Sequence, residues 1–159
     1  MKWSSYFFLC LLAITVLTSC GDSGIYSEMR ALEEGAWSQS DTVKFEFEVT
    51  DTVHYHQIKG LFRINSDYDY RNLYTKAILL GPNDMIIEAV NNHDITDLKG
   101  KFLGSGMGKL KNYELVVFDK LALKTPGKYT VQLLQFFRVQ KLEGVQDVGL
   151  HVNTTNKIY

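Results

Sequence analysis

Cysteine is almost missing from this sequence: among 159 residues there are two, Cys10 and Cys20. Beyond Cys20 no thiol remains, which excludes disulfides, thiolate zinc sites and thiol nucleophiles from the rest of the chain. Charge of one sign is equally scarce, since 17 Lys and Arg face 18 Asp and Glu for a formal net charge of −1. That balance gives no electrostatic case for nucleic acid or for an anionic membrane surface. No Gly-x-Ser-x-Gly occurs, so a nucleophile elbow is absent. A phosphate loop fails as well: in Gly104-Ser105-Gly106-Met107-Gly108-Lys109 the position five before Gly108 is Leu103, and Leu110 follows where Ser or Thr is needed.

Long apolar runs are also missing, with one exception. Tyr6 to Leu17 is uncharged over about 12 residues, where a spanning helix needs about 20, so behind the basic Lys2 it reads as a secretory signal. It closes on Leu17-Thr18-Ser19-Cys20, an aliphatic residue, two small residues and a cysteine. This is a lipobox, at which the thiol of Cys20 takes up lipid and the chain is cut before it. Residues 1–19 are then the lipoprotein signal peptide, and Cys20 is the lipidated first residue of a chain long enough for one domain. Two or three acyl chains hold a protein to a bilayer effectively without release, whereas one holds it only marginally.

Gly21 to Ser40 mixes Gly, Ser and charges, so residues 20–40 read as a lipidated tether and lead-in. The helix formers Glu28 to Leu32 suggest at most two helical turns at Tyr26 to Leu32. From Asp41 the period changes to two: Val43, Phe45, Phe47 and Val49 alternate with Lys44, Glu46 and Glu48, a half-buried strand. Further strands are expected at Ile58 to Ile64, where Gly60 hints at a bulge, and at Leu73 to Leu80 and Met85 to Val90 around the turn Gly81 to Asp84. Asn91 to Lys111 reads as a long irregular segment. Tyr113 to Phe118, Lys128 to Phe137 and Val148 to Val152 complete about seven strands, with turn signals every 8–12 residues or so. The fold class is therefore all-β, a single β-sandwich over residues 41–152 with a jelly roll as its nearest variant, and 153–159 as a polar tail.

Candidate sites are few. Asn65, Asp67 and Asp69 alternate like calcium ligands, but Tyr70 stands where an EF-hand needs glycine, and turn-stabilising Asx hydrogen bonds explain them better. His54 and His56 would share a face of an extended segment, without a third zinc ligand nearby. Glu46 and Glu48 read as a solvated strand face. No metal and no cofactor is expected. Aromatics are the remaining signal: Tyr68, Tyr70 and Tyr74 crowd one turn and strand start, and with Trp37 they suit either a protein-binding hot spot or a sugar-stacking platform. Together with Gly104, Gly106 and Gly108 they mark a partner-binding surface on Asn65 to Tyr74 and Gly100 to Gly108, because side chains on connections are less often explained by core packing.

A family resemblance rests on Trp37 with Asp41-Thr42-Val43 and Phe45, then Asn65, Asp67-Tyr68, Tyr70 and Asn72-Leu73-Tyr74. It continues through Gly81-Pro82, Gly100-Lys101, Leu103-Gly104, Gly106-Met107-Gly108 and Pro126-Gly127-Lys128-Tyr129. Gln135 with Arg138, and Leu142, Gly144 and Asp147-Val148-Gly149-Leu150, complete it. In this order, behind a lipobox, these residues resemble the GldH family of gliding-motility lipoproteins from the Bacteroidota. The resemblance implies a membrane-attached envelope protein without enzymatic activity, a scaffold or assembly factor whose partners are other gliding and type IX secretion proteins. With only Asp22 acidic just after Cys20, a periplasm-facing lipid anchor in the outer membrane is expected. Asp41-Thr42-Val43 and Asp51-Thr52-Val53 fit the Asp-Thr-aliphatic pattern of O-glycosylation in that phylum, at Thr42 and Thr52. The alternative reading is a glycan-binding β-sandwich lipoprotein of the envelope.

Overall fold

Alternation of apolar and polar side chains dominates the chain, and the computed structural model, which describes residues 24–158, turns it into strands almost throughout. In chain order these are β1 (Gly24–Ala31), β2 (Ala36–Ser38), β3 (Val43–Val49), β4 (His54–Ile64), β5 (Asn72–Gly81), β6 (Met85–Asp94), β7 (Lys111–Leu121), β8 (Gly127–Gln135), β9 (Lys141–Glu143) and β10 (Val145–Lys157). One four-stranded sheet has the order β1-β10-β4-β7, the other β3-β8-β5-β6, and β2 and β9 form a two-stranded ribbon. All neighbouring strands are antiparallel.

The two large sheets enclose one core. Phe45, Phe47, Val49, Leu73, Ala77, Leu79, Val131 and Leu133 from one sheet meet Ile58, Phe62, Ile64, Val148, Leu150 and Val152 from the other. Trp37 is fully buried, its ring centroid 6.1 Å from that of Phe62, and its indole N–H donates to the Asp41 carbonyl at 3.0 Å. Burial of an indole is tolerated because its one donor is satisfied. At Gly60 a Cβ would stand 2.6 Å from the Phe62 ring, and beside it the β4–β7 register slips; this is the bulge its sequence position suggests.

The sandwich and the seven strands read from periodicity are present as β3 to β8 and β10, and three more join them. β1 occupies the stretch whose residues favour a helix. It adds to the free edge of β10, and Tyr26 packs 5.9 Å from Phe47 while the Arg30 guanidinium sits 4.9 Å over the Phe45 ring. Tertiary pairing here outweighs local propensity. β10 likewise runs through the residues read as a polar tail, because Asn153, Thr154 and Lys157 pair with β4. β4 starts at His54 and β6 extends to Asp94, which shortens the irregular segment expected at Asn91 to Lys111. Cys10, the lipobox and Cys20 lie outside the described residues.

Candidate functional site

Every strand of an antiparallel sandwich delivers its connections to one of two ends, and here the two ends differ in content. Gly24 pairs with Asn153, Lys157 with His54, and Val49 with Gly127, so the start of the described chain, the β3–β4 turn, the β5–β6 hairpin and the end of β10 share one end. At the other end lie the β4–β5 connection (65–71), the β6–β7 connection (95–110) and the segment after β8. The ten residues of β5 separate them by about 30 Å at the rise of a strand.

The expected surface residues all fall at this second end, but not all reach solvent. Tyr68 is core, 4% exposed, and its hydroxyl donates to the Asn72 carbonyl at 2.7 Å. Burial pushes its phenol far above the usual range. It anchors the 65–71 turn from inside, while Asn65 braces it from outside by accepting the Asp67 amide at 2.8 Å, the Asx turn expected of these residues. Tyr70 and Tyr74 are half-exposed, and Phe137 lies against both, 4.7 Å from Tyr70 and 5.8 Å from Tyr74 between ring centroids. Phe136, Phe137 and Arg138 are the members the sequence did not single out as a site. The run Phe136-Phe137 past the last alternating residue was the available signal.

Two clefts open beside this aromatic cluster. One, about 430 Å³, lies between the 65–71 and 96–102 segments and includes Ser66, Tyr70, Arg71, Asp97, Leu98 and Gly100. The other, about 380 Å³ and more apolar, is lined by Tyr74, Val90, Phe136, Phe137 and Arg138. Arg71 binds both carboxylate oxygens of Asp94, at 3.1 and 3.2 Å. Asp97 accepts the amides of Lys99 and Lys101 at 2.8 and 2.9 Å, and those amides, Lys101 first, hold its carboxyl below the usual range. Both acids are engaged in shaping loops.

The glycines divide. A Cβ on Gly104 would stand 2.6 Å from the Tyr113 ring, so Gly104 makes room for an internal side chain and not for a partner. Gly106 and Gly108 have φ of 113° and 69°, and nothing lies within 4 Å of a Cβ on Gly108; these two let the loop tip turn in the open. Around them Leu98, Leu103 and Met107 are 86%, 58% and 94% exposed. From Leu98 to Tyr113 the sequence has four lysines and no acid. Apolar side chains presented on a basic, glycine-turned loop suit association.

The other candidates go elsewhere. Trp37 is core, so it offers no stacking face. Neither Tyr70 nor Tyr74 lies parallel to Phe137, with interplanar angles of 51° and 78°, unlike a flat sugar platform. His54 hydrogen-bonds Asp51 through Nδ1 at 2.7 Å, while His56 is fully buried. Among the described residues no three His, Cys, Asp or Glu side chains converge on a metal-sized space. Thr42 and Thr52 are half-buried, one before β3 and one in the β3–β4 turn.

Among solved structures, a non-crystalline-cellulose-specific carbohydrate-binding module is similar with a TM-score of 0.47 at 12% identity, covering 82% of this chain and 73% of that one. An infectious bursal disease virus structure is similar with a TM-score of 0.37 at 13% identity, covering 86% and 30%. In sequence, a gliding motility lipoprotein GldH homolog from Christiangramia forsetii is 28% identical over 156 residues, covering 94% of this chain and 95% of the relative. Residues 24–152, which run from the first residue of β1 into β10 and so take in both sheets and both clefts, match the GldH lipoprotein profile: the chain belongs to the GldH lipoprotein family.

Proposed function

We propose that this protein is a non-enzymatic assembly component of the cell envelope, held by lipid on Cys20 to the periplasmic face of the outer membrane and serving the gliding-motility apparatus and its linked type IX secretion machinery. The observation that carries this reading is the opposition of the two ends. Cys20 precedes Gly24 by four residues, a reach of about 14 Å at most, so lipid on Cys20 holds the Gly24 end close to the bilayer. The aromatic cluster and the exposed loop apolars then point away from it, where a protein partner meets them. Family membership and the gliding motility named for the Christiangramia forsetii relative support the same reading.

A deletion strain scored separately for gliding and for type IX secretion tests the role. Loss of both defects on complementation with the wild-type gene, but not with Cys20→Ala, is expected; normal movement and secretion in the deletion strain would remove the proposal. The Cys20→Ala chain should stay an unacylated precursor, because no other thiol past the signal can accept lipid. Radiolabelled fatty acid on that variant would refute the assignment. Protease added to whole cells should leave the domain intact if it faces the periplasm. The same family context supports O-glycosylation of Thr42 and Thr52, which intact-mass measurement of native protein decides: an unmodified mass removes it.

A further inference from the structure

The end that carries Gly24 has a surface of its own. β10 continues four residues past Asn153, the partner of Gly24, to Lys157. There, with the start of β4 and the end of β7, it frames an open cleft of about 340 Å³ lined by Tyr55, Lys120, Thr155, Asn156 and Lys157. Two of its lining residues are lysines, and no Asp or Glu among the described residues lines it. The neighbouring acids are turned to other donors, Asp119 to the Gln57 amide at 3.0 Å and Asp51 to the Val53 and His54 amides and the His54 ring. Among the described residues neither lysine forms an ion pair. Lys120 also holds a left-handed φ of 49°, a conformation that a residue with a Cβ rarely adopts.

The rim of the cleft is amphipathic. Val53 is 58% exposed, and its carbonyl accepts the Ile158 amide at 2.8 Å, so an aliphatic residue precedes the start of β4 and another follows Lys157, each within two positions of a cleft residue. Tyrosine, lysine and small aliphatic groups together are the composition of a protein surface at a bilayer interface, where stems and rings lie among acyl ends and ammonium groups reach phosphate. The whole chain, with a net charge of −1, exerts no long-range pull on an anionic surface; contact has to be local.

We propose that this cleft seats the phosphate of a phospholipid headgroup, so that the domain rests on its membrane by the Gly24 end. This rests on the Cys20 anchor, because the four-residue reach is what brings the cleft to the bilayer.

Lysine acetylation, read residue by residue by mass spectrometry, tests it on the lipidated chain. Three carriers are compared: vesicles of phosphatidylcholine and phosphatidylglycerol, whose headgroups have no amine to consume the reagent, vesicles of the phosphate-free lipid digalactosyldiacylglycerol, and maltoside micelles. Lys120 and Lys157 should react about fivefold more slowly in the phospholipid vesicles, the equivalent of about 1 kcal/mol per lysine at a membrane surface. Lys99, Lys101 and Lys109 at the far end should react alike in all three. In phospholipid vesicles Lys120→Gln should restore part of the reactivity of Lys157. Equal protection in the galactolipid would show burial against a bilayer without phosphate recognition, and no protection anywhere would show no contact; either overturns the proposal. Protection in micelles by inorganic phosphate alone would reassign the cleft to a soluble anion and overturn the lipid assignment. Intact mass separates the premise from the inference: a chain without acyl groups on Cys20 refutes the anchor and the proposal with it, whereas an acylated chain with unprotected lysines refutes the cleft alone.

Discussion

Tyr70 and Phe137 meet with ring centroids 4.7 Å apart, and this contact ties the β4–β5 connection to the segment that follows β8. Because Tyr70 is 37% exposed, Tyr70→Ala should lower stability by less than the roughly 3–5 kcal/mol of truncating a fully buried aromatic. Its contacts with Phe137 and Tyr68 add about 0.5–1.5 kcal/mol each to the area it buries. At an interface the same truncation costs about 2 kcal/mol or more of binding. The expected result is a moderate drop in Tm with loss of gliding and of co-purification with motility components. Tyr68→Ala supplies the contrast: truncating a buried aromatic costs roughly 3–5 kcal/mol, so its melt should collapse first. Full function in Tyr70→Ala with a large fall in Tm would show that Tyr70 is packing.

The division between Tyr68 and Tyr70 also shows how far the sequence could be read. Strands whose own alternation is strong, such as Val43–Val49 with its apolar residues all buried, are legible because burial of one face is written locally. β1, β2 and β9 are not, because they exist through partners far away in the chain: Gly24 needs Asn153, and Trp37 needs Leu142. Two of the three segments that make up the candidate surface were legible as connections, and the third, Phe136 to Arg138, was not. Which of the tyrosines faces out was not legible either, since Tyr68 and Tyr70 differ only in the direction a turn gives them.

Gly144 has φ of 84°, and a Cβ there would stand 2.5 Å from the Tyr68 amide nitrogen. Gly144→Ala should therefore destabilise the fold by more than the 1–3 kcal/mol or so of a strained backbone alone, since Tyr68 backbone has to give way as well. Gly108→Ala, with φ of 69° and open space around it, should cost about 1 kcal/mol. Chemical denaturation midpoints of the two variants check this; equal midpoints would contradict the close approach at Gly144.

His56 is fully buried, and desolvation outweighs the opposing pull of Asp51 and of the Leu121 backbone, so its pKa lies below the ordinary value. His93 is depressed by desolvation in the same way. For a histidine lowered in the folded state the unfolded chain binds the extra proton, so stability is complete above the unfolded pKa of about 6.5 and falls as pH drops from there toward the folded value. Tm should thus decline between about pH 7 and about pH 5. His56→Phe removes a titrating ring whose nitrogens lack a well-formed hydrogen bond and should flatten part of that decline, the remainder belonging to His93. An unchanged slope in His56→Phe would show that His56 is not depressed.

Leu98 and Met107 are 86% and 94% exposed, so they contribute almost no burial to the fold, and replacing them changes little that a melt can read. Leu98→Ser with Met107→Ser should leave stability within about 0.5 kcal/mol of wild type, as expected for surface positions away from caps and cores. If the 95–110 loop carries part of the partner surface, the same double variant should fail to restore gliding to a deletion strain while accumulating to normal levels. The lysines between these residues give a second, independent lever. Reversing Lys99 and Lys101 to Glu should weaken an electrostatic association and make it recover less at low ionic strength, because attraction to the basic loop is screened by salt and its reversal is not rescued by removing salt. Gliding restored by both sets of variants would take the loop out of the working surface and leave Tyr70, Tyr74 and Phe137 as its whole extent.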